Sequence, residues 1–521
     1  MSNVKYPIGQ QDFKLIRENG CVYVDKTTYI KKIATSGTQY YFLGRPRRFG
    51  KSLFLSTLKY FYEGKRELFK GLYIDSTDWD WTPAPVFHLD LNYDRYAKES
   101  SLNEVLDVLF AKWEKEYYVE GIAESFSMRF KNIIEAAHAV TGQQAVILVD
   151  EYDKPLVSNI NNKELFEFYR KELASLYSNF KSGASHIRLV FLTGVSRFSK
   201  LSIFSDLNNL RDISFDDEFA DVCGITENEV FSQFQVGLQR MAERMELTYE
   251  EACSELKKNY DGYRFARTGS DIYNPWSLLN ALQESNIGYY WNDTGYPTII
   301  AEMLKNINAD LEDYFDATCK MDDLKGLDIV SPSPLALLYQ TGYLTIKSYN
   351  VKSRMYRLGI PNTEVKDGLF KVLLPYYSKC KAQSTNAVYM NIVNCINMGK
   401  PDKLMKALQI FFAGISYKMK MDNENNFHNA FYLLTVLLGI DADAEVATSD
   451  GSIDMVLKTY EYIYVIELKY DRTAEEALKQ INDKNYPLRY EADGRKIIKI
   501  GANFSPETRT IGDWVIEEFR G

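Results

Sequence analysis

Two stretches of this 521-residue chain combine reactive side chains at intervals that suit phosphate chemistry. The first is Gly44-Arg45-Pro46-Arg47-Arg48-Phe49-Gly50-Lys51-Ser52-Leu53. An aromatic–aliphatic run, Tyr40 to Leu43, leads into it, and helical spacing resumes at Phe54, Leu55, Leu58 and Phe61. Strand, loop, Gly-Lys-Ser and helix is the context in which loop amides and a helix N-terminus face a polyphosphate. Lys51 would reach the outer phosphates and the Ser52 hydroxyl would ligate Mg²⁺. Five residues separate Gly44 from Gly50 where the usual pattern has four. Either the loop is one residue longer, or Arg45 occupies the first-glycine position. Arg45, Arg47 and Arg48 are placed to meet phosphates, a partner or only solvent.

A chance Gly-Lys-Ser in an ordinary βα turn would read the same way, so a second motif matters. About 100 residues on, Val146-Ile147-Leu148-Val149 ends in Asp150-Glu151. In a nucleotide-hydrolysing domain the first acid holds the Mg²⁺ shell and the second polarises the attacking water. Asp150 would take the first role and Glu151 the second; a strand that simply ends in solvated acids would read the same way. A third apolar strand ends Leu192-Thr193-Gly194-Val195-Ser196-Arg197. Thr193 or Ser196 could sense a γ-phosphate there. Arg197 could stabilise transition-state charge, in cis or across a subunit contact, or could be a solvated loop residue.

The second set is Asp454, then twelve residues, then Glu467-Leu468-Lys469. On adjacent strands, Asp454 and Glu467 can share one Mg²⁺, and Lys469 lies two residues on, on the same face as Glu467. Its ammonium could orient a water and steady a pentavalent phosphate. Gln480, on the following helix, could contribute from the side, and Glu424 is a further candidate metal ligand. A β-hairpin with a salt bridge between alternate charged residues would explain the same three residues without chemistry. His428 fits packing better than metal ligation.

The scaffold holding these residues is legible in outline. Strands near 86–91, 145–149 and 187–194 are apolar on both faces and alternate with helices near 101–140 and 163–181, which means a parallel sheet covered on both sides. Before them, 23–30 reads as a short strand and a helix capped near Asp25 or Thr27, able to cover a sheet edge or meet a nucleotide base. Helices after about 226 form a lid. Residues 337–346 and 355–360 read as helix, turn and β-ribbon, weakly like a winged helix. The expected divisions are 1–258 for an α/β domain with its lid, 259–384 for a helical connector and 385–521 for a compact mixed α/β unit.

A chain this long exceeds one hydrophobic core. Its composition, 45% hydrophobic and 26% charged, is that of a globular protein. A net charge of −9 argues against a nucleic-acid coat protein or a membrane-surface binder, though not against a local basic groove. Six cysteines without a CxxC pair suggest neither a zinc site nor a disulfide framework. Met1 to Phe13 has no apolar h-region, and no apolar run approaches the ~18 residues of a membrane helix, so no membrane association and a cytoplasmic location are expected.

Together, Arg45 to Ser52, Val149-Asp-Glu-Tyr-Asp-Lys-Pro155, Thr193-Gly-Val195, Tyr260-Asp-Gly-Tyr-Arg-Phe265 and Tyr273-Asn-Pro-Trp276 resemble the AAA-ATPase-like family over roughly residues 5–280. The resemblance implies a P-loop NTPase fold and ATP binding with Mg²⁺; the long loop is shared with that family. Gly451-Ser-Ile-Asp454, Val465-Ile-Glu-Leu-Lys469 and Ala477-Leu-Lys-Gln-Ile481 with Tyr486 resemble the PD-(D/E)XK nuclease superfamily over about 385–515. Members of that superfamily can lose activity, but here acid, acid and lysine are all present. The expected protein is an ATPase controlling a nuclease-like domain that acts on nucleic acid, DNA by preference, with a homo-oligomer left open. Rivals are an ATP-dependent switch whose C-terminal domain binds without cutting, and a small-molecule phosphoryl-transfer enzyme.

Overall fold

The computed structural model describes residues 4–92, 96–121, 125–160, 162–196, 209–291, 314–326, 333–369, 391–413, 441–448, 451–470, 472–505, 508 and 510–519. Arg197, Glu424 and His428 lie outside them. The chain divides into two compact units, Met1–Tyr296 with Asp316–Val365, and Pro297–Phe315 with Lys366–Gly521. Residues 259–296 and 316–365 of the expected connector therefore fall in the first unit.

The first unit is built on five parallel strands: β1 (Tyr40–Gly44), β2 (Val86–Asp90), β3 (Ala145–Asp150), β4 (Ile187–Gly194) and β5 (Arg211–Asp212), in the order β2-β3-β4-β1-β5. Every residue of β3 is buried, which is why its sequence is a continuous apolar run and not an alternation. Burying Val146 to Val149 alone contributes ~1.5–3 kcal/mol per side chain. Early helices are α1 (Phe13–Glu18), α2 (Thr27–Thr35), α3 (Lys51–Tyr62), α4 (Ser100–Glu116), α5 (Phe126–Thr141), α6 (Lys154–Val157) and α7 (Lys163–Ser182). Helix α3 packs on β2, β3 and β4, with Phe54 against Phe191 at 5.7 Å.

Two expectations need correction. Tyr23 and Val24 form no strand: residues 21–26 are irregular, and β5 takes the sheet edge beside β1. The single helical region near 101–140 is two helices, because the chain turns after Glu116 and restarts at Ser125, whose side chain accepts from the Met128 amide. The lid comprises α8 (Glu227–Gln233), α9 (Gln235–Met245), α10 (Tyr249–Tyr260) and α11 (Pro275–Glu284), with a short pair β6 (Ile225–Thr226) and β7 (Ile272–Tyr273). After α12 (Met321–Lys325) and α13 (Pro334–Thr341) come β9 (Thr345–Asn350) and β10 (Met355–Gly359), which with β8 (Thr318–Cys319) form a three-stranded antiparallel sheet. The helix-and-ribbon order is as expected, but Ala336 to Thr341 are buried, so α13 serves as a core element of this unit.

Asp261, just past α10, is almost fully buried, and its Oδ1 has no hydrogen-bond partner among the described residues. Burial first, and then the charge of Asp271, push its carboxyl up to about 6. The native state therefore holds this proton to higher pH than the unfolded chain, and stability falls as pH rises from about 4 to about 6 and stays lower above. Asp261→Asn is expected to stabilise the protein at pH 8, by on the order of 1–3 kcal/mol, and to give little or nothing at pH 4. Thermal unfolding at the two pH values checks this; equal effects at both would contradict it.

The second unit carries α14 (Pro401–Ala413) and a five-stranded sheet ordered β11-β12-β13-β14-β15, made of β11 (Asp441–Thr448), β12 (Gly451–Lys458), β13 (Tyr462–Tyr470), β14 (Lys496–Ser505) and β15 (Thr510–Glu518). Neighbours are antiparallel except β13 and β14. A parallel pair needs a crossover, supplied by α15 (Ala474–Asp483), which starts with a Thr473–Glu476 capping box. Gly501 on β14 lets α15 approach the sheet: a Cβ there would lie 2.5 Å from the Ala474 carbonyl oxygen. Strands β11 and β15 add to the elements expected from the sequence.

Candidate functional site

In the first unit, strand order brings three strand ends together. Strand β4 lies between β1 and β3, with Thr193 beside Leu43 and Gly194 beside Gly44. Thr193 is thus interposed between the loop after β1 and the acids after β3. Its Oγ1 donates to Asp150 Oδ1 at 2.6 Å, and both side chains are buried. The Glu151 amide also donates to Asp150, at 3.1 Å, while Glu151 itself takes a left-handed φ of 52°. That conformation is uncommon for a glutamate and marks a backbone held by its surroundings.

Lys51 is buried at the start of α3, which Gly50 opens at φ 94°. Its Nζ donates to the carbonyls of Arg45 (3.0 Å) and Pro46 (3.2 Å) and pairs with Glu151 at 3.5 Å. Lys51 is therefore folded back onto its own loop and onto an acid. Ser52 and Leu53, both half-buried, follow in the same turn and line the cleft with Lys51 and Glu151.

The loop side chains divide into two groups. Arg45 is buried: its guanidinium donates to the carbonyls of Gly44 (2.9 Å), Ser214 (2.6 Å) and Phe219 (3.2 Å) and stacks on Phe265 at 4.4 Å. Pro46 is buried too, and Phe49 packs edge-on against Tyr263 and Phe265. The Arg45 guanidinium is thus taken up by carbonyls, and Phe49 borders the apolar cleft beside the loop. The side chain of Arg48, also at a left-handed φ, stacks on Trp276 at 4.0 Å beside the cleft, and the Arg47 carbonyl accepts from Trp291 Nε1. Ser214 Oγ accepts from the Gly44 amide at 2.7 Å, so Gly44 is pinned at its position beside Gly194.

Two clefts meet at this loop. One holds Arg48, Gly50, Lys51, Ser52 and Glu151. The other is apolar, with Tyr23, Val24, Phe54, Val222 and Phe234. They share Pro7, Gly50, Leu53, Pro275 and Leu279. Lys26 borders the apolar cleft and is held by both oxygens of Glu229 at 2.7 and 2.8 Å, tying the N-terminal segment to lid helix α8.

Asp153, Ser214 and Trp276 have places in this site that their residue types alone did not reveal. Asp153 precedes Lys154-Pro155, where an acid reads as a helix cap, yet its side chain makes no capping bond and faces β4 instead. Burial, with the Glu151 charge nearby, pushes its carboxyl up to about 7.

In the second unit, Met455 pairs with Ile466, which puts Asp454 and Glu467 just beyond the last pair of that antiparallel ladder. Asp454 Oδ2 accepts from the Leu468 amide at 2.7 Å. Glu467 is 1% exposed; its Oε1 accepts from Lys469 Nζ at 2.8 Å and from Gln480 Nε2, while Oε2 has no hydrogen-bond partner among the described residues. Burial, reinforced by Asp454, pushes its carboxyl up to about 7. Gln480 reaches Glu467 from α15 and also touches the Tyr486 hydroxyl at 3.3 Å. Asp454, Glu467, Lys469 and Gln480 therefore converge. A buried carboxylate oxygen without a partner, beside a second carboxylate, suits a divalent cation, which would satisfy both.

Comparison with known proteins agrees with this division. A family model described as predicted AAA-ATPase matches residues 7–204, and one described as PD-(D/E)XK nuclease superfamily matches residues 422–514. The chain is 35% identical over 532 residues to a protein of Azotobacter chroococcum mcd 1, described as an uncharacterized protein in the vnfD 5′ region, and the alignment covers 99% of both. No helix among the described residues is long and apolar enough to cross a membrane.

Proposed function

Because this chain belongs to the family of predicted AAA-ATPases that carry a C-terminal domain of the PD-(D/E)XK nuclease superfamily, we propose that ATP bound in the first unit controls metal-dependent nucleic-acid cleavage by the second. The nucleotide half rests on the convergence of Lys51, Glu151, Asp150 and Thr193 at three neighbouring strand ends. The nuclease half rests on the Oε2 of buried Glu467, beside Asp454 and without a hydrogen-bond partner among the described residues.

The phosphates would displace Glu151 from Lys51, and the loop amides from Arg45 to Ser52 with the N-terminus of α3 would hold them. Glu151, released, is then an acid able to accept a proton from water near the outer phosphate, with Asp150 and Ser52 as the residues that would hold Mg²⁺. The apolar cleft between Val24, Phe54 and Val222 suits a nucleobase, because it offers flat burial with few charges.

In the second unit Asp454 and Glu467 would hold the cation, which when bound supplies charge stabilisation to the phosphodiester. Lys469 would orient the attacking water, and Gln480 keeps Glu467 in place. DNA is the proposed substrate.

The test is cleavage of plasmid and single-stranded DNA in Mg²⁺ or Mn²⁺, with and without ATP, for the wild type, Asp454→Ala and Lys51→Ala. Cleavage lost in Asp454→Ala, and responsive to ATP only when Lys51 is present, is the expected result. ATP binding without cleavage under any condition would favour a nucleotide switch whose second unit binds without cutting. The net charge of −9 favours that alternative.

A further inference from the structure

We infer that Asp153 is a positioning residue for ATP hydrolysis, fixing the segment after β4 against the acids after β3. This rests on the ATPase reading above. The carboxylate of Asp153 is 1% exposed and accepts from the amides of Val195 (3.2 Å) and Ser196 (2.6 Å). Its neighbour Tyr152 ties the same two segments twice more: its amide donates to the Thr193 carbonyl at 2.9 Å, and its hydroxyl donates to the Ser196 carbonyl at 2.8 Å. Asp150 takes the Thr193 hydroxyl from the other side. The run Asp150 to Asp153 therefore grips Thr193 to Ser196 through side chain and backbone alike.

The fit leaves no slack. A Cβ on Gly194 would lie 2.6 Å from Asp153 Oδ1 and 2.7 Å from the Tyr152 ring, so this grip requires glycine at 194. Burying a carboxylate is unfavourable unless hydrogen bonds hold it, and here the two amides do so. Both oxygens of Asp153 are turned to the amides of Val195 and Ser196, whereas Glu151 lines the cleft with Lys51 and Ser52. A residue in that position can set where Thr193 and Ser196 stand relative to an outer phosphate without binding the nucleotide itself. Its loss should therefore slow turnover and spare affinity.

The test uses the full chain with D153N and G194A. D153N is nearly isosteric but loses one acceptor and the charge; G194A keeps the charge and pushes on the same contact from the opposite side. Both are expected to lower kcat for ATP at least ~10-fold while Kd for a non-hydrolysable ATP analogue stays within about threefold, and the double variant should be no worse than the poorer single one. Hydrogen exchange of a peptide spanning Leu192 to Ser196 gives a second readout. ATP should slow it in the wild type and fail to do so in D153N, at equal global Tm. Wild-type kcat in D153N, or equal losses in Kd and kcat, would overturn the inference. Wild-type protein that binds no ATP at all would instead overturn the ATPase reading, independently of Asp153.

Discussion

Lys51→Ala is expected to weaken triphosphate binding by roughly 10- to 100-fold, while the protein stays folded. The magnitude follows from removing one charge-assisted contact to phosphate, worth ~1.5–3 kcal/mol in a buried setting. Lys51 is confined beside the loop by two loop carbonyls and Glu151, so phosphates need only take the place of Glu151 and little side-chain ordering is required. Truncation leaves Glu151 without its cation, but Glu151 is 17% exposed in its side chain and water can reach it. The structural cost is therefore modest and the binding cost large. Calorimetric titration with a non-hydrolysable analogue and with ADP measures both. An affinity within threefold of wild type would mean that the phosphates do not sit at this loop.

In the second unit, Glu467→Gln is expected to abolish metal-dependent cleavage, at least ~100-fold, without lowering stability in EDTA. The two effects differ in sign because Glu467 is a buried carboxylate with one oxygen that has no partner among the described residues. A neutral glutamine removes the burial penalty, whereas a carboxylate is needed to hold the cation. In saturating Mn²⁺ the wild type should gain ~2–3 kcal/mol at about 100 times Kd, visible as a rise of several degrees in Tm, and the variant should gain almost none. Asp454→Asn should behave alike in metal binding. A Glu467→Gln variant that cuts and responds to Mn²⁺ like wild type would remove this site from consideration.

The elements buried on both faces, and the acids at their ends, can be read from the chain alone. The runs 40–43, 145–149 and 187–194 are apolar without alternation because both faces of a parallel sheet are covered, and that pattern is visible in one dimension. The pairing of Asp454 with Glu467 and Lys469 was legible for a similar reason, since strand period and spacing put them on one face. Short or weakly patterned pieces were not: β5 has two residues, and β11 reads Asp-Ala-Asp-Ala-Glu-Val-Ala-Thr, a composition poor in strand formers. Tyr23 and Val24 carried strand propensity but their amides and carbonyls found no sheet edge to join.

The task of each polar side chain, by contrast, emerges from packing in three dimensions. Arg45 has the type and place of a phosphate ligand, yet carbonyls from Ser214 and Phe219, some 170 residues away, claim its guanidinium. Asp153 has the type and place of a helix cap, yet amides after β4 claim its carboxylate. A sequence specifies which charges exist and roughly which element bears them. Which buried donors and acceptors lie within 3 Å of them depends on strand order, and β4 reaches β1 and β3 only because the chain returns to insert it between them.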